Sequence, residues 1–220
     1  MITKLKKLAL SAGLCSLLSV PVLAGESGLV VGVMGGLGML GTNSDAYGNL
    51  GIEYDWYENE KNNSSFVYGA KLGYDFYFQK EHAMRLYVDY TSGKYGMGDF
   101  ITGDVNLNTF ALNAEYRFDF LPIVGLFIGP NLHFTQFQTH PKVTRDDLFG
   151  DKNKVSFGFG GGIVLTPLSF LEVEGRIRYL NLGVGEKYTG ALSDPDPNIT
   201  RRSYEIDDPI TFTLGVNLKF

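Results

Sequence analysis

The chain has 220 residues and a formal net charge of −5 at pH 7, with 28 glycines and 14% aromatic residues. This length suits a single domain, and the glycine and aromatic contents are high for an ordinary globular protein. The acidic balance argues against a nucleic-acid partner, because such a partner calls for basic patches on the protein.

The first 24 residues have the parts of a secretory signal peptide. Three lysines, Lys4, Lys6 and Lys7, precede a mostly apolar run from Leu8 to Val20, and the segment ends at Ala24 with small residues. We therefore predict cleavage after Ala24 and a mature domain of residues 25–220. A membrane anchor is the alternative, but the apolar run is shorter than the roughly 20 residues that a bilayer-spanning helix requires.

Removal of this segment would change both the charge and the thiol content of the chain. The three lysines leave with it, so 16 Lys+Arg would face 24 Asp+Glu, a net charge of −8. The one cysteine, Cys15, lies inside the segment. The mature chain is therefore expected to form no disulfide and to offer no thiol nucleophile.

Eight later segments alternate apolar and polar residues, which is the pattern of strands with one apolar and one polar face. They cover approximately residues 29–39, 66–78, 84–90, 109–118, 126–135, 155–165, 171–179 and 210–220. Pro130 interrupts the fifth segment, and we expect a bulge or a local distortion there because proline cannot donate to a strand ladder.

The connections between these segments are alternately long and short. The long ones are predicted as polar loops over Thr42–Ser65, Ser92–Asn106, Thr139–Asn153 and Gly183–Asp208. An up-and-down bacterial barrel has this rhythm, with short periplasmic turns and longer extracellular loops. After the signal segment no stretch is apolar for 18 residues, so no spanning helix is expected, and a sheet that crosses a bilayer must close on itself. The predicted fold is all-β, an eight-stranded antiparallel up-and-down transmembrane β-barrel.

The polar faces of these strands carry charges of both signs. Ten of them are predicted to form a charge network in the barrel interior: Lys71, Asp75, Arg85, Asp89, Glu115, Arg117, Glu172, Glu174, Arg176 and Arg178. An eight-stranded barrel is just wide enough for side chains, so such charges could pair there. A soluble lipocalin-like barrel is the alternative, in which the apolar face points inward and the charges meet water. The aromatic ends of the apolar faces, Phe78, Phe118 and Phe220, resemble an aromatic girdle and favour the membrane barrel.

The last strand alternates strictly and ends in Phe220, which resembles the C-terminal strand of bacterial outer-membrane barrels and the signal that the barrel-insertion machinery reads there. With the order of its strands, the chain resembles the OmpA-type and opacity-protein-like family of eight-stranded outer-membrane proteins. The segment Gly69–Tyr90 is similar to small outer-membrane proteins of Helicobacter and its relatives. This resemblance implies a monomer in the Gram-negative outer membrane, surrounded by membrane lipid and lipopolysaccharide. It also implies surface-exposed loops and roles in membrane integrity, adhesion or host interaction, but no wall-tethering domain is expected after the last strand.

Motifs with catalytic or cofactor meaning have simpler interpretations here. The stretch Gly36–Gly41 fits the dinucleotide pattern G-x-G-x-x-G, but no helix follows, and glycines facing a crowded barrel interior explain it better. Lipid A-modifying barrels use a histidine with a serine and an acid near the outer rim. Of the three histidines, His82 is assigned to a periplasmic turn, His140 to a loop and His133 to the lumen, where Thr135 replaces the serine. No catalytic, cofactor or metal site is therefore predicted.

The predicted function follows from these exclusions. We expect a non-enzymatic outer-membrane barrel whose four extracellular loops serve membrane integrity and surface or host interaction, including adhesion. A lipid A-modifying enzyme and a narrow small-solute channel are the alternatives. The channel is disfavoured because barrels with aqueous channels use about 16–18 strands.

Overall fold

The computed structural model describes residues 27–48, 61–96, 103–141, 152–182, 184–189, 199–206 and 208–220. Ten strands make up this part of the chain. They are β1 (Gly28–Gly48), β2 (Lys61–Gln79), β3 (His82–Gly96), β4 (Gly103–Leu121), β5 (Val124–Pro141), β6 (Lys152–Leu168), β7 (Leu171–Leu180), β8 (Val184–Thr189), β9 (Ile199–Ile206) and β10 (Ile210–Lys219). No helix in the described ranges is long and apolar enough to cross a bilayer.

Eight of these strands form a closed antiparallel barrel. Strands β1 to β7 pair in sequence, β7 pairs with β10, and β10 returns to β1 over the register from Val30↔Lys219 to Met39↔Ile210. Closure leaves no strand edge to be exposed at membrane depth, which is the condition for a sheet to span a bilayer. The predicted eight-stranded up-and-down fold is confirmed.

The two faces of the barrel wall have opposite polarity. Large apolar side chains cover the outside, as at Phe157, Leu214 and Phe66, which are 72%, 71% and 64% exposed. Charged side chains fill the inside, as at Arg85 and Glu172, which are 2% and 0% exposed. A soluble protein does not present a continuous apolar surface of this size to water. The arrangement is that of a membrane barrel and the reverse of a lipocalin-like one.

The strands extend further toward the extracellular side than predicted. Strand β1 runs to Gly48 and β2 starts at Lys61, so much of the predicted loop Thr42–Ser65 belongs to the ladder. The predicted loops Ser92–Asn106 and Thr139–Asn153 are shortened in the same way by the ends of β3, β4, β5 and β6. The sequence pattern did not predict these strand ends, because polar–apolar alternation disappears where the residues on both faces are polar.

The predicted loop Gly183–Asp208 contains a further hairpin. Strands β8 and β9 pair with each other from Val184↔Ile206 to Thr189↔Arg201. Strand β9 also pairs with the upper part of β1, starting at Thr42↔Ile206. The sheet therefore continues above the barrel through β2, β1, β9 and β8.

Pro130 causes a local gap in the ladder without a bulge. Strands β4 and β5 keep one register on both sides of it, with Asn113↔Asn131 above and Tyr116↔Ile128 below, and the two pairs between are interrupted. A Cβ atom at Gly129 would overlap the carbonyl oxygen of Ala114. The missing proline N–H and the close backbone approach at glycine together account for the distortion.

Candidate functional site

The ten charged residues predicted for the interior all lie inside the barrel, and each is at most 4% exposed. They come from β2, β3, β4 and β7. On β7 the alternating positions place two acids, Glu172 and Glu174, toward the periplasmic end and two arginines, Arg176 and Arg178, toward the extracellular end. The facing strands β2, β3 and β4 supply the complementary charges.

The lower layer of the charge network centres on Arg85. Its Nε lies 2.5 Å from Asp75 Oδ1, and its Nη2 lies 2.8 Å from Asp75 Oδ2 and 2.6 Å from Glu172 Oε2. Arg117 donates to Glu172 and, over 2.7 Å, to Asp119 Oδ1. Four strands, β2, β3, β4 and β7, are thereby cross-linked through the lumen.

The upper layers repeat this complementarity. Lys71 Nζ lies 2.5 Å from Glu174 Oε2, and Arg178 Nη2 lies 2.5 Å from Asp89 Oδ2. Arg176 donates to Glu115. These pairs connect β7 with β2, β3 and β4.

Several polar residues join the network that the sequence did not single out. Asp119 lies just beyond the predicted fourth segment, yet it pairs with Arg117 and receives a 2.7 Å hydrogen bond from Tyr77 Oη. Tyr87 donates to Glu115 over 2.7 Å, and its ring lies 5.2 Å from the guanidinium carbon of Arg176. Asp119, Tyr77 and Tyr87 all occupy inward positions of their strands, so the alternation of inward and outward residues could have identified them.

An apolar plug lies in the interior above the charges. It is one cluster of buried side chains: Leu40, Val67, Tyr95, Val105, Leu107, Phe137, Leu180 and Leu182. The interior charge network that the sequence predicts does not include this apolar layer. The sequence did not indicate the plug because seven of its eight members lie outside the eight predicted segments, two of them in the predicted loop Ser92–Asn106.

A vestibule lies at the opposite, periplasmic end. Its cavity has a volume of about 240 Å³, and Tyr77, Arg117, Glu172 and Lys219 are among its lining residues. A separate void of about 30 Å³ lies between the network and the plug, beside Arg176, Tyr95 and Leu107. This void is about the size of one water molecule. From the vestibule upward, the lumen is thus occupied first by ion pairs and then by the plug.

The two histidines whose side chains are described, His82 and His133, do not bond to a serine or threonine hydroxyl. His133 is fully buried in the lumen, where its Nε2 bonds to Asn131 Oδ1. Thr135 Oγ1 lies 3.1 Å from Thr109 Oγ1 instead. His82 begins β3, next to the predicted turn, with Nδ1 2.5 Å from Tyr116 Oη. The side chain of His140 lies outside the described residues.

Phe220 lies at the seam that closes the barrel. Its carbonyl oxygen accepts a 2.8 Å hydrogen bond from Leu29 N, and its own N–H donates to Leu29 O over 2.9 Å. Phe78 and Phe118 lie on the outer surface near the same end, where Phe118 stacks on His82 with ring centroids 5.0 Å apart. The role of Phe220 in insertion stays a prediction.

Solved structures with a similar fold include two outer-membrane proteins. Neisserial surface protein A shares 18% identity with this chain, with a TM-score of 0.53, over 89% of this chain and 99% of that one. The outer membrane protein OprG from Pseudomonas aeruginosa shares 14% identity, with a TM-score of 0.61, over 90% and 99%. At such identities the similarity bears on the fold alone.

A comparison with curated protein sequences finds no significant match. The family model described as "Outer membrane protein beta-barrel domain", in contrast, matches residues 10–220, nearly the whole chain. The closed barrel and its apolar outer surface agree with that match. The chain therefore belongs to this family of outer-membrane β-barrels.

Proposed function

We propose that this protein is a non-enzymatic outer-membrane barrel that acts through its extracellular extension, in contact with other surfaces and in support of membrane integrity. We define the extracellular extension as the parts of β1 and β2 above Met39 and Ser64, together with the β8–β9 hairpin. The observation that carries the proposal is this continuous sheet above a sealed barrel.

The length of the extracellular extension supports a role in contact with other surfaces. Met39 is the last β1 residue that pairs with β10, and β1 continues for nine more residues to Gly48. At about 3.3 Å per residue this corresponds to about 30 Å of additional strand. A hydrogen-bonded sheet of this length holds its loops at a fixed distance from the membrane, which is how rigid scaffolds present binding loops.

The sealed interior argues against the channel. A solute that entered the vestibule would meet the Arg117–Glu172 and Arg85–Asp75 pairs and then the plug around Phe137. An ion that loses its water on entering the lumen needs compensating charge from the protein. The charged side chains of the lumen cannot supply it, because they are already paired with one another. The side chains of the plug are apolar apart from the Tyr95 hydroxyl, so they offer almost no compensation for the lost water.

The described histidines also argue against lipid A chemistry. Acyl transfer or hydrolysis needs a nucleophile, a base within hydrogen-bond reach and a group that orients the base. His133 bonds to an amide rather than a hydroxyl and is buried inside the wall, away from lipid. His82 faces lipid at the periplasmic end, remote from the outer leaflet where lipid A lies.

Replacement of the hairpin tests the proposal. Leu182 N donates to Asp208 Oδ1 over 2.7 Å and Leu180 N to Pro209 O over 3.1 Å, so the two ends of the connection are adjacent. Residues 183–207 can therefore be exchanged for a short Asn-Gly turn. Bacteria that express this variant should lose most of the adhesion to epithelial cells that the unmodified protein confers.

A matched control changes a turn at the other end of the molecule. The pair Lys80-Glu81 forms the β2–β3 turn, and its replacement by Asn-Gly should leave adhesion unchanged. Circular dichroism and protease protection in vesicles check that both variants fold. Full adhesion by a correctly folded hairpin variant would contradict the proposal.

A further inference from the structure

The vestibule at the periplasmic end has one apolar and one charged side. Its volume of about 240 Å³ exceeds the roughly 150 Å³ of a cavity that admits benzene, so a small organic molecule fits inside. Apolar side chains of the β4–β5 turn, among them Phe120, Leu121 and Val124, line one side. The lowest charges of the network, including Arg117 and Lys219, line the other. Because the network fills the lumen above, a molecule that enters from the periplasm stays in the vestibule.

The buried acids of the vestibule already have a hydrogen-bond donor at each carboxylate oxygen. Arg117 donates to Oε1 of Glu172 and to Oδ1 of Asp119. The second oxygen of Glu172 accepts a 2.6 Å hydrogen bond from Arg85. The second oxygen of Asp119 accepts a 2.7 Å hydrogen bond from Tyr77. A cation that entered the vestibule would therefore have to compete with bonds that are already made.

Lys219, in contrast, has donors to spare. Its side chain is 2% exposed, and its ammonium carries three N–H groups. Among the described residues one acid lies within 4 Å of this ammonium, Asp75 at 3.4 Å. Both oxygens of Asp75 already accept hydrogen bonds from Arg85, at 2.5 and 2.8 Å. The Lys219 ammonium therefore makes a long ion pair rather than a close hydrogen bond.

Two hydroxyl groups add further donors to the same cavity. Thr166 Oγ1 accepts a 3.1 Å hydrogen bond from Arg117 Nη2 and keeps its own proton to donate. Ser169, in the β6–β7 turn, also lines the vestibule. The rim adds Lys80 and Glu81, which are both exposed and whose opposite charges balance. The buried part of the lining thus offers spare donors rather than spare acceptors, and this selects an anionic ligand.

We propose that the vestibule binds a small apolar carboxylate from the periplasm, either a free acid or the C-terminal residue of a peptide. The carboxylate accepts hydrogen bonds from Lys219 and Thr166, and the apolar part packs against the β4–β5 turn. Inorganic phosphate would satisfy the donors but leave the apolar side without a contact. This binding takes place at the opposite end from the extracellular extension and does not depend on adhesion.

The proposal can be tested by titrating the purified barrel in nanodiscs and following its methyl groups by nuclear magnetic resonance. The probes are N-acetyl-leucine as the free acid, acetyl-Gly-Gly-Leu as the chain end, and N-acetyl-leucinamide, which lacks the carboxylate. Lys219→Met should weaken the binding of N-acetyl-leucine by at least about tenfold, the effect of one charge-assisted hydrogen bond. Lys94→Met removes a lysine at the extracellular end and should leave binding unchanged.

The outcomes separate the proposal from its alternatives. Equal binding of N-acetyl-leucine by the Lys219→Met variant and the unmodified protein would overturn the proposal, as would equal binding of N-acetyl-leucinamide by the unmodified protein. Tighter binding of the tripeptide supports it and identifies a chain end as the ligand, whereas tighter binding of N-acetyl-leucine supports it and identifies a free acid. If the variant does not fold, the unmodified protein must show nuclear Overhauser contacts between the probe and the methyl groups of Leu121 or Val124, and their absence would also overturn it.

Discussion

At the scale of single residues, Arg85 holds together three acids of the charge network. It bonds to Asp75 and Glu172 and lies 3.5 Å from Glu174 Oε2. A buried pair adds little net stability compared with apolar packing, but removal of one partner leaves charges buried without compensation.

The substitution Arg85→Met should therefore destabilise the barrel by about 3–5 kcal/mol, because three acids would lose their shared cation. Urea unfolding of the protein in lipid vesicles measures this free energy. Lys94→Met is the control, since Lys94 forms an exposed pair with Asp104 and should change stability by less than about 1 kcal/mol. Similar losses in the two variants would contradict the role of Arg85.

The glycines of the G-x-G-x-x-G stretch provide a second residue-scale prediction. A Cβ atom at Gly36 would overlap the carbonyl oxygen of Phe212 and lie 2.7 Å from Thr213 Cα, at the seam between β1 and β10. Gly36→Ala should destabilise the fold by roughly 1–3 kcal/mol, because backbone would have to move. Gly96→Ala is the control, since its Cβ would meet nothing within 4 Å. Equal unfolding midpoints for both variants would refute the close approach.

Alternation of residue types located much of the interior from sequence alone. Because side chains on a strand point to opposite faces in turn, the inward positions of the ten charged residues could be assigned without coordinates. Their partners could not, since strand register and side-chain reach decide that Arg85 meets Glu172 while Arg178 meets Asp89. Asp119 was missed because it follows the last clearly alternating residue of its strand.

At the scale of elements, the strands above the membrane are the main difference between expectation and structure. Segments such as Thr42–Gly48 are mostly polar in sequence, and they pair with β9 through a backbone ladder. Sequence periodicity reports burial and therefore cannot detect a ladder of this kind. The short turns, in contrast, lie between strongly alternating strands as expected, although β6 continues to Leu168, three residues past the end of its predicted segment.

The pairing of β9 on β1 gives a prediction for the extension. Asn43 is the partner of Glu205 in this ladder. Its N–H points toward β9, because Asn43 lies an even number of residues from Leu29, whose N–H bonds to Phe220 on the same edge of β1. Asn43→Pro removes this backbone donor from the ladder, so amide hydrogen exchange over Arg202–Glu205 should become faster. Asn43→Ala keeps the donor and should leave exchange slow. Unchanged protection in the proline variant would show that β9 does not depend on β1.

At the scale of the whole molecule, two barriers lie in series along the lumen. The charge network occupies the middle of the barrel, and the plug around Leu107 and Phe137 lies above it. We expect either barrier alone to block ions.

The unmodified protein should therefore show no conductance steps in planar bilayers. Arg117→Ser or the pair Leu107→Ser and Phe137→Ser should also remain closed, because each variant leaves the other barrier in place. Only a variant that combines all three substitutions is expected to pass ions. Regular steps from the unmodified protein would instead support the channel alternative.

The distances along the chain between charge partners have a consequence for biogenesis. Lys71 and Glu174 are 103 positions apart, and Arg85 and Glu172 are 87 apart. The charged side chains of β7 can therefore pair only after the earlier strands are in place. In a barrel with an incomplete wall, unpaired charges would be exposed to the hydrocarbon of the bilayer, at a cost of several kcal/mol each. Because forms with an open wall carry this cost and the closed barrel does not, we expect assembly in the bilayer to be cooperative.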